Sequence, residues 1–273
     1  MNNDRIQEIL DLMEEARLDY FLISDPQSIA YCTGYYNDPH ERMFVFMISK
    51  HGNHTLFMND LFYLEHDLDV NIVWHKDGQD AIQTIVDEMH FPGRIGIDKN
   101  WASHFLLDLM KKLPDAKYIN ASPCVDLVRM KKDLQEQVLM IESSKINDAV
   151  MEEIIPFIQE GVTEKQLAKK LDELFFNHHS TCYGAIVAFG KNAADPHHEN
   201  DDTPLRKGDC VLIDMGCVYK GYCSDMTRTF FYEGILEEEI KIYEIVKKAN
   251  EAAEAMIKPG VKLSDIDKCA RKV

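Results

Sequence analysis

The chain of 273 residues is long for one ordinary domain and suits two. With 45% hydrophobic and 28% charged residues it has the balance of a globular protein that buries its own cores. A formal net charge of −17 repels phosphate backbones, which excludes nucleic acid as an expected partner.

The opening stretch, residues 1–20, carries charges throughout and lacks the apolar centre of an export signal. Within it Ile6, Ile9, Leu10 and Met13 recur at helical spacing, and Tyr20 to Ile23 then reads as a short buried strand. Met43 to Ile48 and Thr55 to Met58 are strand-like, joined by a hairpin turn at Lys50-His51-Gly52-Asn53. Even such apolar runs are far too short to cross a bilayer, so no membrane association is expected. A helix over Gln79 to Met89, a strand at Ile95 to Asp98 and a helix from Trp101 to Leu113 complete an α/β alternation. These elements predict a small α/β domain over residues 1–125, with a second domain over residues 126–273.

Asp133 with Glu136 forms a capping box that opens a long helix reaching Pro156. Thr163 with Gln166 forms another, opening a helix to about Phe176. Strands are expected at Ala185 to Phe189, Cys210 to Val218 and Tyr222 to Tyr232, then helices at Glu237 to Ile257 and from Ser264, with Asp267 supporting that start. The seven cysteines are odd in number and show no CxxC spacing, which points to free thiols in a reducing, cytoplasmic setting.

The densest chemistry lies between Gly208 and Phe230, read as two antiparallel strands around a turn at Tyr219-Lys220-Gly221. A turn centred between Tyr219 and Lys220 sets Asp214 directly opposite Asp225, with Cβ atoms ~4.5–5.5 Å apart. Like charges so placed destabilise a hairpin unless a shared proton or a cation compensates. Two metal ions ~3.5–4 Å apart match that span. The plainer alternative is that Asp214 ends a strand and Asp225 caps a turn. Upstream, Pro196 precedes the pair His197-His198; taken alone such a pair is a solvated loop feature, although histidine is the side chain most easily poised for proton transfer.

Several motifs then fall in order. They are Asn192-Ala193-Ala194-Asp195-Pro196-His197, Leu205-Arg206-Lys207-Gly208-Asp209, Val211-Leu212-Ile213-Asp214-Met215-Gly216, and Gly221-Tyr222-Cys223-Ser224-Asp225-Met226-Thr227-Arg228-Thr229. Together they resemble the creatinase/prolidase family, the metallopeptidases of pita-bread fold. Ile23-Ser24-Asp25-Pro26-Gln27-Ser28-Ile29-Ala30-Tyr31-Cys32-Thr33-Gly34 extends the resemblance to the N-terminal domain, and Asn37 to Arg42 is most similar to bacterial Xaa-Pro dipeptidases. The fold implied is α/β: a small α/β creatinase-type domain followed by the first part of an α+β pita-bread catalytic domain.

The resemblance implies that Asp214 and Asp225 are metal ligands and that His197, rather than His198, assists proton movement and holds substrate. It implies two divalent ions, Mn²⁺ first and Co²⁺ or Zn²⁺ as alternatives, and hydrolysis of the Xaa-Pro bond in dipeptides. Proline-containing dipeptides or short peptides are the expected substrates, and a homodimer is the expected assembly. Arg42, within Asp38 to Arg42, reads either as part of an ordinary charged turn or as a reader of a substrate carboxylate. The family site also uses a histidine and two glutamates further along, yet no histidine occurs among the 48 residues after Asp225. The chain is therefore expected to be a shortened, weakly metal-binding and inactive form. An Xaa-Pro aminopeptidase of the aminopeptidase P type and a non-catalytic pita-bread-fold binding protein are the alternative readings.

Overall fold

Ile6, Ile9 and Met13 share one face of α1 (Asn3–Glu15), and all three are buried. In the computed structural model, which describes residues 1–90 and 92–273, this stripe meets the first of two layers of core in residues 1–132. The chain continues through β1 (Tyr20–Ile23), α2 (Pro26–Thr33), β2 (Val45–Ser49), β3 (Thr55–Asn59), β4 (Asn71–His75), α3 (Ala81–Glu88), β5 (Arg94–Ile97), α4 (Ser103–Lys112), β6 (Lys117–Asn120) and α5 (Ser122–Met130).

The six strands form one mixed sheet in the order β4-β3-β2-β1-β5-β6. β1, β2 and β3 are buried along their whole length. Their near-continuous apolar sequence follows from cover on both faces. Phe21, Ile23, Phe46 and Ile48 pack with Ile9, Ile29 and Val125 on one side, whereas Tyr20, Leu22, Val45 and Met47 pack with Ile82, Ile85 and Leu109 on the other. The hairpin of β2 and β3 forms as expected, with Val45 opposite Phe57. The expected boundary near residue 125 falls inside α5, whose Cys124, Val125 and Val128 belong to the first core; the compact units divide between Lys132 and Asp133.

The second unit opens with α6 (Leu134–Ile154) and α7 (Glu164–Asn177), and both expected capping boxes are made, by Asp133 with Glu136 and by Thr163 with Gln166. Then follow β7 (Thr181–Cys182), β8 (Ile186–Phe189), β9 (Cys210–Met215), β10 (Cys217–Tyr219), β11 (Tyr222–Cys223), β12 (Met226–Phe231), α8 (Glu237–Glu254) and α9 (Leu263–Ala270). The strands form two short sheets, β12-β9-β8 and β11-β10-β7. Val211, Ile213 and Met215 alternate along β9 into the core with Val150, Leu167, Leu171 and Phe175 of α6 and α7. Asp214 lies between two of these positions, so strand alternation turns it to the opposite face. The expected start of the last helix at Ser264 moves by one residue: α9 begins at Leu263, and Lys262 occupies the capping position without a side-chain cap.

α8 is unlike the other long helices. No residue of it is buried, and Ile240, Ile242, Ile245 and Val246 stay exposed, with Tyr243 meeting Phe231 edge-on at 6.0 Å.

Gly96 of β5 supplies a stability test. A Cβ there would lie 2.5 Å from Ala121 Cβ and 3.0 Å from Leu18 Cδ1, both in the packed core. Replacing glycine by alanine gains about 0.4–1 kcal/mol from the stiffer unfolded chain, which overpacking of about 1–3 kcal/mol outweighs. Gly96→Ala is expected to lower the urea midpoint of residues 1–132; a midpoint at or above the parent value contradicts this packing.

Candidate metal and proton-transfer site

The hairpin that carries both aspartates turns at Lys220 and Gly221, whose φ values are +48° and +83°. Positive φ at both central residues is the type I′ geometry, which suits the right-handed twist of the flanking strands and favours glycine second. Tyr219 therefore pairs with Tyr222 and Val218 with Cys223, and the same register continues below as Met215 with Met226 and Asp214 with Thr227. The turn is centred one residue later than the sequence reading placed it. That displacement moves every cross-strand partner by two, so Asp214 faces Thr227 and not Asp225. Asp225 becomes the diagonal neighbour, a placement of ~7–8 Å between backbones. The repulsion expected of direct opposition is correspondingly relaxed.

The donor chemistry fits a hard cation. Thr227 Oγ1 donates to Asp214 Oδ1 at 2.7 Å, which fixes that half-buried carboxylate. Among the described residues no donor reaches the second oxygen of Asp214 or either oxygen of the exposed Asp225. Oxygen ligands of this kind suit Mn²⁺ and related ions. The pair does not belong to any cluster of three or more possible donors among the described residues.

Tyr183 completes this corner, and the sequence reading did not single it out. Its hydroxyl donates to the Ser224 carbonyl at 2.6 Å, one residue before Asp225. It lies directly over Gly216, where a Cβ would come within 2.2 Å of both the Tyr183 hydroxyl and the Ser224 carbonyl oxygen. Gly216 also separates β9 from β10, dividing what the sequence suggested as one strand. Burial pushes the Tyr183 phenol above its ordinary value, and the negative charge of Asp225 and then Asp214 adds to the effect. The phenol therefore stays protonated as a donor.

His197 and His198 follow a 3-10 turn at residues 190–194. The two imidazoles face different surroundings. His197 is exposed, and its backbone N–H donates to Asp195 Oδ1 at 3.1 Å. His198 meets the fully buried Glu164 carboxylate, Nε2 to Oε2, at 2.6 Å. Glu164 also accepts from the N–H groups of Phe189 and Asp201 at 2.9 and 3.1 Å and from Asn192 Nδ2 at 2.9 Å. Glu164, His198 and Asp201 lie close enough to share an ion, but this network already satisfies the buried carboxylate without one. Asn200 ties the end of the same segment to β8, accepting from Val187 N–H and donating to the Ala185 carbonyl, each at 2.7 Å. Between those two residues sits Ile186, the partner of Asp214 across the ladder. The histidine segment is thus fastened beside the strand that carries the first aspartate.

Arg42 does not present a free guanidinium: it forms a two-pronged pair with Asp77 at 3.0 and 2.8 Å and a further contact with Glu41 at 2.8 Å. All seven cysteines are free thiols.

Comparison with known proteins places these features in context. The model of metallopeptidase family M24 matches residues 138–273, and that of the creatinase/prolidase N-terminal domain matches residues 5–131. An uncharacterized peptidase of Staphylococcus aureus strain MW2 is 30% identical over 278 residues, covering 98% of this chain and 78% of the relative. The prolidase of Thermococcus sibiricus superposes with a TM-score of 0.91 at 28% identity, over 100% of this chain and 77% of the other. The Xaa-Pro dipeptidase of Bacillus anthracis does so with a TM-score of 0.88 at 26% identity, over 98% and 76%. No helix among the described residues is long and apolar enough to cross a membrane.

The His198–Glu164 pair has a definite pH signature. The hydrogen bond to Glu164 holds the His198 imidazole above its ordinary value, and the charges of Glu164, Asp201 and Asp195 reinforce this against burial. A raised folded value means that the ionic contribution is complete below the unfolded pKa of about 6.5 and fades as pH rises through the folded value. The stability difference between the parent chain and His198→Gln is therefore expected to be largest below about pH 6.5 and to shrink above it. Urea denaturation across that range measures it, and a difference that widens with pH contradicts the pairing.

Proposed function

Because this chain belongs to metallopeptidase family M24, we propose that its second unit contributes to metal-dependent hydrolysis of the Xaa-Pro bond in dipeptides. Asp214 and Asp225 are the proposed metal ligands, and His197 is the proposed catalytic side chain. The observation that carries this reading is the pair of carboxylates at one end of the hairpin, Asp214 in β9 and Asp225 just before β12, with three of their four oxygens reached by no donor among the described residues. Asp214 and Asp225 would hold the divalent ions, which when bound would lower the pKa of a bound water to provide hydroxide and would polarise the scissile carbonyl. Mn²⁺ is the proposed metal, and a homodimer in the cytoplasm the proposed setting; both rest on resemblance.

The chain's own residues divide the remaining work. Thr227 holds one oxygen of Asp214, and the other has no donor among the described residues. Tyr183 fastens the Ser224 carbonyl and thereby the backbone that carries Asp225. The His197 imidazole makes no side-chain hydrogen bond among the described residues, so it is free to hold a substrate carbonyl oxygen and to pass a proton to the departing proline nitrogen. Two carboxylates are a sparse donor set for two ions, and the 273 residues by themselves are accordingly proposed to bind metal weakly and to turn over slowly at most.

Line broadening by Mn²⁺ is expected at residues 212–216 and 225–227 and is expected to vanish in Asp214→Asn combined with Asp225→Asn. Broadening that survives this double substitution removes the ligand assignment. With Mn²⁺ present, any cleavage by the chain is expected to favour an Xaa-Pro dipeptide over its Xaa-Ala counterpart and over longer Xaa-Pro peptides. Faster cleavage of the longer peptides favours an aminopeptidase, and vigorous dipeptide turnover by these residues alone refutes the weak activity proposed.

A further inference from the structure

We propose that Glu164 is the positioning residue for His197, acting through a buried four-donor clamp on the segment from Phe189 to Asp201. The inference rests on the proposed role of His197 and adds what holds that side chain in place.

Glu164 is the first residue of α7, a position where acidic side chains commonly sit in water and complement the helix dipole. Here its side chain is completely shielded from solvent. A buried carboxylate is costly unless paired and hydrogen-bonded. Glu164 meets that requirement with donors drawn from one returning segment. Phe189 N–H and Asn192 Nδ2 bind Oε1, each at 2.9 Å, whereas His198 Nε2 and Asp201 N–H bind Oε2 at 2.6 and 3.1 Å. The backbone at the start of α7 adds two bonds to the same stretch of chain and just beyond it, from Lys165 N–H to the Asp201 carbonyl and from Glu164 N–H to the Thr203 carbonyl. The carboxylate therefore grips the segment before the histidine pair, at the pair and after it.

The consequence for His197 is geometric. His198 is drawn inward to Glu164, and His197, one residue earlier, is left on the exposed side. The short turn from Asp195 to the His197 N–H fixes the remaining backbone freedom. With Asn200 bonded to the residues on both sides of Ile186, the end of the segment is tied to the strand that pairs with Asp214, three residues after His197.

A metal at Glu164, His198 and Asp201 is the competing use of these residues. It is disfavoured because both Glu164 oxygens are already taken by N–H donors, and Asp201 Oδ1 accepts from Thr203 N–H at 2.6 Å. The charged surroundings of His198 are Glu164, Asp195 and Asp201, with Lys165, Lys169 and Asp172 of α7 and Glu199 lining the adjoining cleft.

Glu164→Gln keeps the shape but presents an amide N–H₂ where an acceptor is needed, toward either His198 or the backbone. In the 273-residue protein, amide exchange at residues 195–201 is expected to accelerate at least about tenfold, while protection in β9 and β12 is retained. The ring titration of His198, followed by NMR, is expected to shift downward toward that of an exposed histidine. His198→Gln, whose amide can still donate to the carboxylate, is expected to retain the slow exchange, and His198→Leu to lose it. In the parent chain, an Ala-Pro dipeptide is expected to shift the His197 ring signals, and this response should be lost in Glu164→Gln. Unchanged exchange in Glu164→Gln, or an undiminished His197 response, overturns the proposal. If the dipeptide leaves His197 unmoved in the parent while the exchange results hold, the clamp stands and the peptidase reading fails. If Glu164→Gln does not fold, the two His198 variants decide: equal protection in both overturns the clamp.

Discussion

The register of one hairpin governs the chemistry of the second unit. Two residues at positive φ, Lys220 and Gly221, set the centre of the turn, and every pair down the ladder follows from it. A side-chain period of two makes such a ladder intolerant of slippage, since a one-residue slip carries each side chain to the other face. The core enforces the same choice independently, because Val211, Ile213 and Met215 must all point toward α6 and α7. Turn chemistry and burial thus agree on where Asp214 lies. Asp225, beyond the end of regular pairing with β9, depends instead on Gly216 and Tyr183, which lock the adjoining backbone of Ser224.

What could be read in the sequence was mostly what is local. The capping boxes at Asp133 and Thr163 involve residues three apart, and both form as expected. The amphipathic stripe of α1 and the apolar runs of β1 and β2 carry their burial in their own periodicity. α2 has equally local signals, with Asp25 as cap, Pro26 in the first turn and Gly34 closing it at φ +80°, but in the sequence they are embedded in a motif that stands out more than the helix does. β4 and β6 were missed for a different reason: each is an outer strand with exposed and half-buried positions, so neither shows a clean alternation. The hairpin centre was misplaced because a three-residue turn string leaves two centres open, and only the preference of glycine for the second central position separates them.

The site illustrates a limit of another kind. Glu164 looks like a surface acid in the first turn of a helix, and nothing within several residues of it suggests otherwise. Its burial arises because residues 189–201 return to it after a strand and a turn. The same return separates two adjacent histidines that composition treats alike. One is consumed by an internal charge pair and the other remains available to solvent. Sequence spacing favoured His197 by resemblance, whereas the structure supplies a physical reason why His198 is not equivalent to it.

α8 bears on the behaviour of the protein in bulk. Its exposed Ile242, Ile245 and Val246, spaced three and four residues apart, form an apolar strip on a molecule with a formal net charge of −17. Mutual repulsion between copies works over the Debye length, about 30 Å in dilute salt and about 10 Å at 0.1 M, whereas attraction between apolar strips acts only on contact. Ionic strength therefore selects between the two. In dilute buffer like charge keeps neighbouring copies out of contact, and added salt withdraws that barrier while leaving the strip as adhesive as before. A kosmotropic anion such as sulfate strengthens the attraction as well as screening the repulsion, so the choice of salt decides whether concentrated solutions stay clear.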